Sequence, residues 1–565
     1  MTPASSLSRR NFSGLRWILS VAAIALLVAL PLLSVFWLAL FPEENIWPHL
    51  LDTVLFHYIS ATLMLAFGVA VLTLLAGVGA AWLVTMCRFP GRGLFEWALL
   101  LPFAVPAYVI AYVYTDLLEY AGPVQKFLRA LCGWQTARDY WFPEIRSMGG
   151  AIAMLSLVLY PYVYMLARAA FIEQCGSIRA ASRSLGCTPW QSFLRVSLPM
   201  ARPAIAVGLS LVLMETLNDF GTVDFFAVRT LSVGIYDTWL SRGNLGGAAQ
   251  IACSTLVFVV LLIVLERRGR KGQRHFVQSP VAGSDFYRLR GWRALSASLF
   301  CALLLISGFG VPIVVLGGYA LDNFSSYWSG DFLAIARNSF LLSGAAAVVT
   351  AVLGLLLAYG KRLYPRRSVK SLVGFAKLGY AMPGAVMAIG VLIPLAAFDN
   401  ALDALLREHF GISTGLLLSG SVFAIVFAYA VRFLAVSAGA IESSLDKVTP
   451  SMDRAARSLG RNSWQTLWAV HFPLVRAGLL SGALVVFVDC MKELPATLLL
   501  RPFGFETLAT HVYQFASDEM LERSALGALM IVLVGLLPVI LLSRSMGRRR
   551  EGQVAELVES EAPTL

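Results

Sequence analysis

Five charged residues stand where a strongly apolar chain has least reason to carry them. Glu215 and Asp219 close one hydrophobic stretch, in Glu215-Thr216-Leu217-Asn218-Asp219-Phe220-Gly221. Asp489, Lys492 and Glu493 lie in another, in Asp489-Cys490-Met491-Lys492-Glu493-Leu494-Pro495. A shift of 274 positions places Glu215 on Asp489 and Asp219 on Glu493. Each pair is spaced i, i+4, which predicts two carboxylates on one helix face. Charge at membrane depth is costly and turns to a cavity or a partner. Carboxylates are hard oxygen donors, so one reading is a translocation pathway or gate suited to a hard cation. The other is an ion-pair or hydrogen-bond network between two halves, with Lys492 as one partner. The spans hold no His/Asp/Glu metal cluster and no nucleophile–base pair, so no catalytic residue is assigned and the metal ligands stay unknown.

The elements around these residues are membrane spans. The chain has 565 residues, 58% hydrophobic and only 14% charged, where soluble domains carry about 25% charge. Many windows exceed 18 apolar residues with helical periodicity, so the fold class is an all-α polytopic membrane protein. Twelve spans are expected, near 17–41, 59–86, 94–117, 149–171, 203–220, 247–266, 296–320, 338–360, 371–397, 415–440, 477–499 and 525–543. The first is too long for a signal-peptide core and is expected to be retained. The seven cysteines are scattered without a Cys-x-x-Cys and read as small core residues. The net charge of +12 is topological. With the N-terminus inside, inner segments hold about 31 of the 45 lysines and arginines and outer segments about 10. Both termini are then cytoplasmic, and nucleic acid is not implied.

A basic linker at 267–295 divides the chain. The expected domains are a cytoplasmic segment at 1–16, a six-span repeat at 17–266, the linker, a second six-span repeat at 296–543 and a cytoplasmic tail at 544–565. Even span numbers make the repeats parallel. Ala104-Val105-Pro106-Ala107 parallels Ala381-Met382-Pro383-Gly384. Pro106, Pro161 and Pro383 interrupt spans and are candidate hinges, with a static kink as the alternative.

Two polar islands precede the charged spans. The first runs Ala180-Ala181-Ser182-Arg183-Ser184-Leu185-Gly186, then Pro189-Trp190-Gln191 and Ser197-Leu198-Pro199. The second runs Arg454-Ala455-Ala456-Arg457-Ser458-Leu459-Gly460, then Ser463-Trp464-Gln465 and His471-Phe472-Pro473, again 274 positions on. Ala, Arg and Leu predict a short helix. Gly186 and Gly460 fit the left-handed helix end. Thr188 with Gln191, and Asn462 with Gln465, predict capping boxes that open a second helix. Pro199 and Pro473 are expected to end it. A single copy reads as a surface loop; two copies at one spacing read as paired docking elements.

These stretches resemble the cytoplasmic loop of permease subunits of bacterial ATP-driven importers, Glu-Ala-Ala-x-x-x-Gly followed by Leu-Pro. The match departs at the leading glutamate, which is Ala180 in one copy and Arg454 in the other; Asp453 is acidic but one position early. The segments 218–226, 232–236 and 491–504 look like the fused ferric-iron importer permeases. The resemblance implies a type I importer with the MetI-like permease fold, two parallel six-helix repeats, and coupling loops at 172–203 and 441–476. It implies two separate ABC ATPase subunits that carry ATP and Mg, a periplasmic substrate-binding protein, and a small inorganic cargo, Fe(III). Ala180, Ala181, Arg183, Gly186, Trp190, Pro199, Ala455, Ala456, Arg457, Gly460, Trp464 and Pro473 are the implied ATPase-coupling residues. Relatives that move thiamine, sulfate or polyamines share this architecture. No Gly-x-x-x-x-Gly-Lys-Ser/Thr loop occurs, since Gly360-Lys361 is followed by Arg362. The chain is therefore expected to bind no cofactor and to have no ATPase site of its own. A secondary transporter, membrane enzyme or scaffold would need no docking elements.

Overall fold

The computed structural model describes residues 4–174, 182, 184–270 and 287–560, with side chains outside 4–15, 173, 265–270 and 541–560. Apolar residues run far enough without a break to make long helices, as the absence of water in a bilayer demands. Among the described residues eleven helices are long and apolar enough to cross a membrane, and a bent pair makes a twelfth. The principal helices are α1 (Ala4–Leu40), α2 (Leu55–Met86), α3 (Ala107–Leu118), α4 (Met148–Glu173), α5 (Leu198–Asn218) and α6 (Leu245–Arg270). The later ones are α7 (Trp292–Leu305), α8 (Gly330–Leu363), α9 (Gly384–Phe410), α10 (Val422–Leu445), α11 (Phe472–Met491) and α12 (Leu521–Ser560).

Two expected spans are not single rods. The third is a pair of helical stretches, Arg92–Ala104 and Ala107–Cys132, bent by 92°. The ninth, expected over 371–397, is a helix at Arg367–Ala376, a short 3-10 turn and then α9, which runs to Phe410. Both breaks fall at the matched prolines. Pro106 and Pro383 are extended N-caps (ψ 143° and 146°), because proline has no N–H to continue the preceding turn. Pro161 lies inside the unbroken α4.

The chain packs as two compact units, and these are not the two sequence repeats. One comprises residues 1–50, 235–254 and 328–511; the other comprises 51–234, 255–327 and 512–565. In the first, α1 lies on α8, α9 and the 367–376 helix. Small residues make the approach possible. A Cβ on Gly390 would stand 2.4 Å from the Pro31 carbonyl oxygen, and one on Gly360 2.6 Å from Val21. Ser34 Oγ donates to the Gly390 carbonyl at 2.5 Å. In the second, α2, α4 and α5 pack together, and α12 meets the 101–104 turn through Gly535, against Ala104. The end of the basic linker is anchored there too: Tyr287–Arg288 pairs in parallel with Cys87–Arg88.

Candidate functional site

The two polar islands fold into matched elbows. Gly186 has φ 76° and Gly460 φ 77°, and open space surrounds both, so conformation and not crowding demands glycine. Gln191 N–H donates to Thr188 Oγ1 at 3.3 Å and Thr188 N–H to Gln191 Oε1 at 3.0 Å. Gln465 N–H donates to Asn462 Oδ1 at 2.8 Å and Asn462 N–H to Gln465 Oε1 at 3.0 Å. Both capping boxes therefore close. The expectation that Pro199 and Pro473 end the second helix is wrong. A π-turn at Phe193–Ser197, and another at Leu467–His471, carries the helix on into α5 and α11. Leu198 N–H bonds to Phe193 O, and Phe472 N–H to Leu467 O. The extra residue in the turn relieves the clash a proline ring makes with the carbonyl four positions back.

The elbow tips are apolar and open to solvent. Leu185 is 82% exposed and Leu459 80%; Trp190 and Trp464 are more than half exposed. Ala180, Ala181 and Arg183 lie outside the described residues. In the second copy Ala455 and Arg457 are exposed on the Pro450–Ser458 helix, and Ala456 is buried.

Each elbow is seated by a different set of contacts. Trp82 of α2 meets Trp190 and Phe193, with ring centroids 6.4 and 5.1 Å apart. Gln174 donates to the Ser197 carbonyl at 2.8 Å. The second elbow is clasped by charge. Asp453 accepts from Arg362 Nη2 at 2.8 Å, and its other oxygen lies 2.6 Å from Nε2 of the fully buried His471. Arg362 also donates to the Leu445 and Val448 carbonyls. Trp17 of α1 packs against Tyr359 and Trp464, and Tyr359 donates to the Ser463 carbonyl.

The charged residues mark two further helix breaks. Asp219 and Glu493 were expected to share a helix face with Glu215 and Asp489. Both instead stand past the helix end: α5 stops at Asn218 and α11 at Met491. Each carboxylate caps the short helix that follows, where the first N–H groups have no partner of their own. Asp219 accepts from the Thr222 and Val223 N–H groups and from Thr222 Oγ1, at 2.9–3.2 Å. Glu493 accepts from the Ala496 and Thr497 N–H groups and from Thr497 Oγ1, at 3.1–3.2 Å. Glu215 is half-buried one turn before the break. Lys492 pairs with Asp489 at 3.0 Å.

Charged residues in the spans beyond those named from the sequence include Arg432, Glu493's partner, and the pair Arg168 and Glu96. Arg432 of α10 pairs with Glu493 at 2.7 Å, with the two side chains 6% and 3% exposed. Gly384 makes the space: a Cβ there would lie 2.6 Å from Glu493 Oε1 and 2.8 Å from Arg432 Nη1. Arg168 of α4 pairs with Glu96. A lone arginine in an apolar stretch was the available signal. Among the described residues no group of three His, Cys, Asp or Glu is placed to hold a metal ion.

Comparison with known proteins agrees with this architecture. The binding-protein-dependent transport system inner membrane component family matches twice, at 73–271 and 350–551. The Fe(3+)-transport system permease protein FbpB 2 of Haemophilus influenzae is 25% identical over 86% of this chain and 89% of its own length. The ferric transport system permease protein FbpB of Actinobacillus pleuropneumoniae is 24% identical over 77% of this chain and 63% of its own. The sulfate transport system permease protein CysT of Escherichia coli is 30% identical over 37% of this chain and 72% of its own. The molybdenum permease ModB of the same species is 26% identical over 34% and 82%. With two family matches over a multi-pass helical fold, the chain belongs to the binding-protein-dependent transport system inner membrane components.

Proposed function

We propose that this chain is the transmembrane permease subunit of an ATP-driven importer for ferric iron, working with two separate ATPase subunits and a periplasmic binding protein. Its termini and elbows face the cytoplasm in this reading. One observation carries it: two equivalent elbows each present a leucine about four-fifths exposed, Leu185 and Leu459, at the tip of a rigid capped turn. Exposed apolar groups on a fixed scaffold suit a protein partner. ATP would draw the two ATPase subunits together. Ala180, Ala181, Arg183, Gly186, Trp190 and Pro199, with Ala455, Ala456, Arg457, Gly460, Trp464 and Pro473, would pass that motion through the π-turns into α5 and α11. Pro106 and Pro383 would serve as joints and Pro161 as a weaker one. Glu215 and Asp219 would line the path, and Asp489, Lys492 and Glu493 would hold a gate. A nucleotide can shift such a cycle only by favouring one state over the other.

The ferric cargo is supported by relatives that resemble this chain over most of its length. The sulfate and molybdenum relatives favour a second reading, an oxyanion cargo. Uptake of radiolabelled iron, molybdate and sulfate by the reconstituted complex separates the two. Gly186→Pro and Gly460→Pro test the elbows: proline cannot adopt positive φ, so ATP hydrolysis should continue while uptake falls. Normal uptake in both variants refutes the docking role.

A further inference from the structure

The unit formed by 51–234, 255–327 and 512–565 gathers further oxygen-bearing side chains around Asp219. Tyr112 of α3 is 2% exposed, with its ring edge-on to Phe225 at 4.5 Å. Its buried hydroxyl has no hydrogen-bond partner among the described residues. Phe225 follows Asp224 on the short Gly221–Phe225 helix that Asp219 caps, and α3 packs on that helix. Tyr513 donates to Asp224 Oδ2 at 2.6 Å, and Phe220 packs on the Tyr513 ring. Asp219 and Asp224 are only half-buried, so the carboxylate side of the group is partly exposed. A buried phenol with no partner is an uncompensated cost, and a bound ion is one of the few things that can offset it.

The chemistry of the group is specific. Two carboxylates and two phenols give an all-oxygen donor set, suited to a hard cation and repulsive to sulfate or molybdate. The nearby Arg146 lies over Phe225, but its guanidinium is engaged by Glu119 at 2.5 Å and Glu519 at 2.7 Å. We infer that Tyr112, Asp219, Asp224 and Tyr513 form a way-station that takes a hard trivalent cation from solvent or a chelator during its passage. The exchange involves no redox step. Each phenol that coordinates releases its proton to water, and the cation gains a phenolate while losing a water or chelator oxygen.

This inference rests on the ferric reading, and one set of measurements tests each independently. The purified full chain is titrated with iron(III) nitrilotriacetate while its visible spectrum is followed. A phenolate-to-iron charge-transfer band is expected, weakened in Tyr112→Phe and in Tyr513→Phe. Both substitutions keep the ring, and an unchanged melting temperature confirms that the fold survives. In the reconstituted complex Tyr112→Phe should lower iron uptake about tenfold while ATP hydrolysis stays near wild type. If wild type imports iron but shows no band, and Tyr112→Phe imports normally, the way-station is refuted and the ferric reading stands. A fall in uptake with the band intact also refutes Tyr112 as a ligand. If wild type imports molybdate or sulfate and not iron, the ferric reading fails and the way-station with it.

Discussion

Asp219 and Glu493 occupy one position in two copies of the same device. Each stands past the end of a span and caps the next helix through two backbone N–H groups and a threonine hydroxyl. They differ in what balances the charge. Glu493 is closed off with Arg432, almost without exposure. Asp219 has no arginine or lysine ion pair among the described residues and is half-buried. One methyl group marks the divergence. Gly384 leaves room for the Arg432–Glu493 pair, and the matching residue of the first repeat is Ala107. Both copies keep the cap, while one adds a buried ion pair and the other leaves its carboxylate partly exposed.

The sharpest way to break this comparison is to remove Arg432. Arg432→Met should leave Glu493 as a buried, uncompensated carboxylate and cost about 3–5 kcal/mol. The measurement is thermal unfolding in detergent, and adding Glu493→Gln to the same chain should recover much of the loss. Asp219→Asn removes no ion pair and should leave the melting temperature close to wild type while uptake falls. Equal melting temperatures for Arg432→Met and Asp219→Asn would erase the distinction between joint and path. Gly384→Ala is the next test. Its methyl would overlap both Glu493 and Arg432, and overpacking of this kind costs about 1–3 kcal/mol. Ala107→Gly, at the matched site, should cost under about 1 kcal/mol, the backbone-entropy effect alone.

How much of this could be read without coordinates follows from the range of the interactions. Capping boxes and left-handed glycines are local, so Gly186, Gly460, Thr188 and Asn462 were legible residue by residue. The breaks at Pro106 and Pro383 were legible as positions, because proline acts on its own turn. The end of α5 before Asp219 was not, since periodicity continues across a break that is satisfied by a side chain. Arg432 and Glu493 are 61 positions apart, and no local pattern joins them. The exchange of α1 into the unit of the second repeat depends on where Gly390 and Gly360 meet it in space. Asp453 was visible as an acid one place early; its clasp to Arg362 and His471 depends on three separate segments.

That clasp supplies a second contrast, between the elbows. Asp453→Asn keeps the size of the side chain but removes the charge held by Arg362, and a charge-assisted hydrogen bond is worth about 1.5–3 kcal/mol. Uptake per ATP hydrolysed should fall, because the second elbow would no longer move rigidly with α8 and α11. Restoring the ratio with a lipid or temperature change, and no substitution, would count against the clasp.

The smallest expected effect tests what the elbows share. Thr188→Ala and Asn462→Ala each remove one capping side chain, for about 1 kcal/mol apiece. If the boxes are equivalent, the two variants should lower coupling by similar amounts, despite the different contacts behind each elbow. An effect at Thr188 several times that at Asn462 would mean that the charge clasp holds the second elbow in shape without its cap. The first elbow, held by ring contacts and one hydrogen bond, would then depend more on its cap. That outcome would locate the asymmetry at the elbows as well as within the membrane, with the clasped repeat as the stiffer arm.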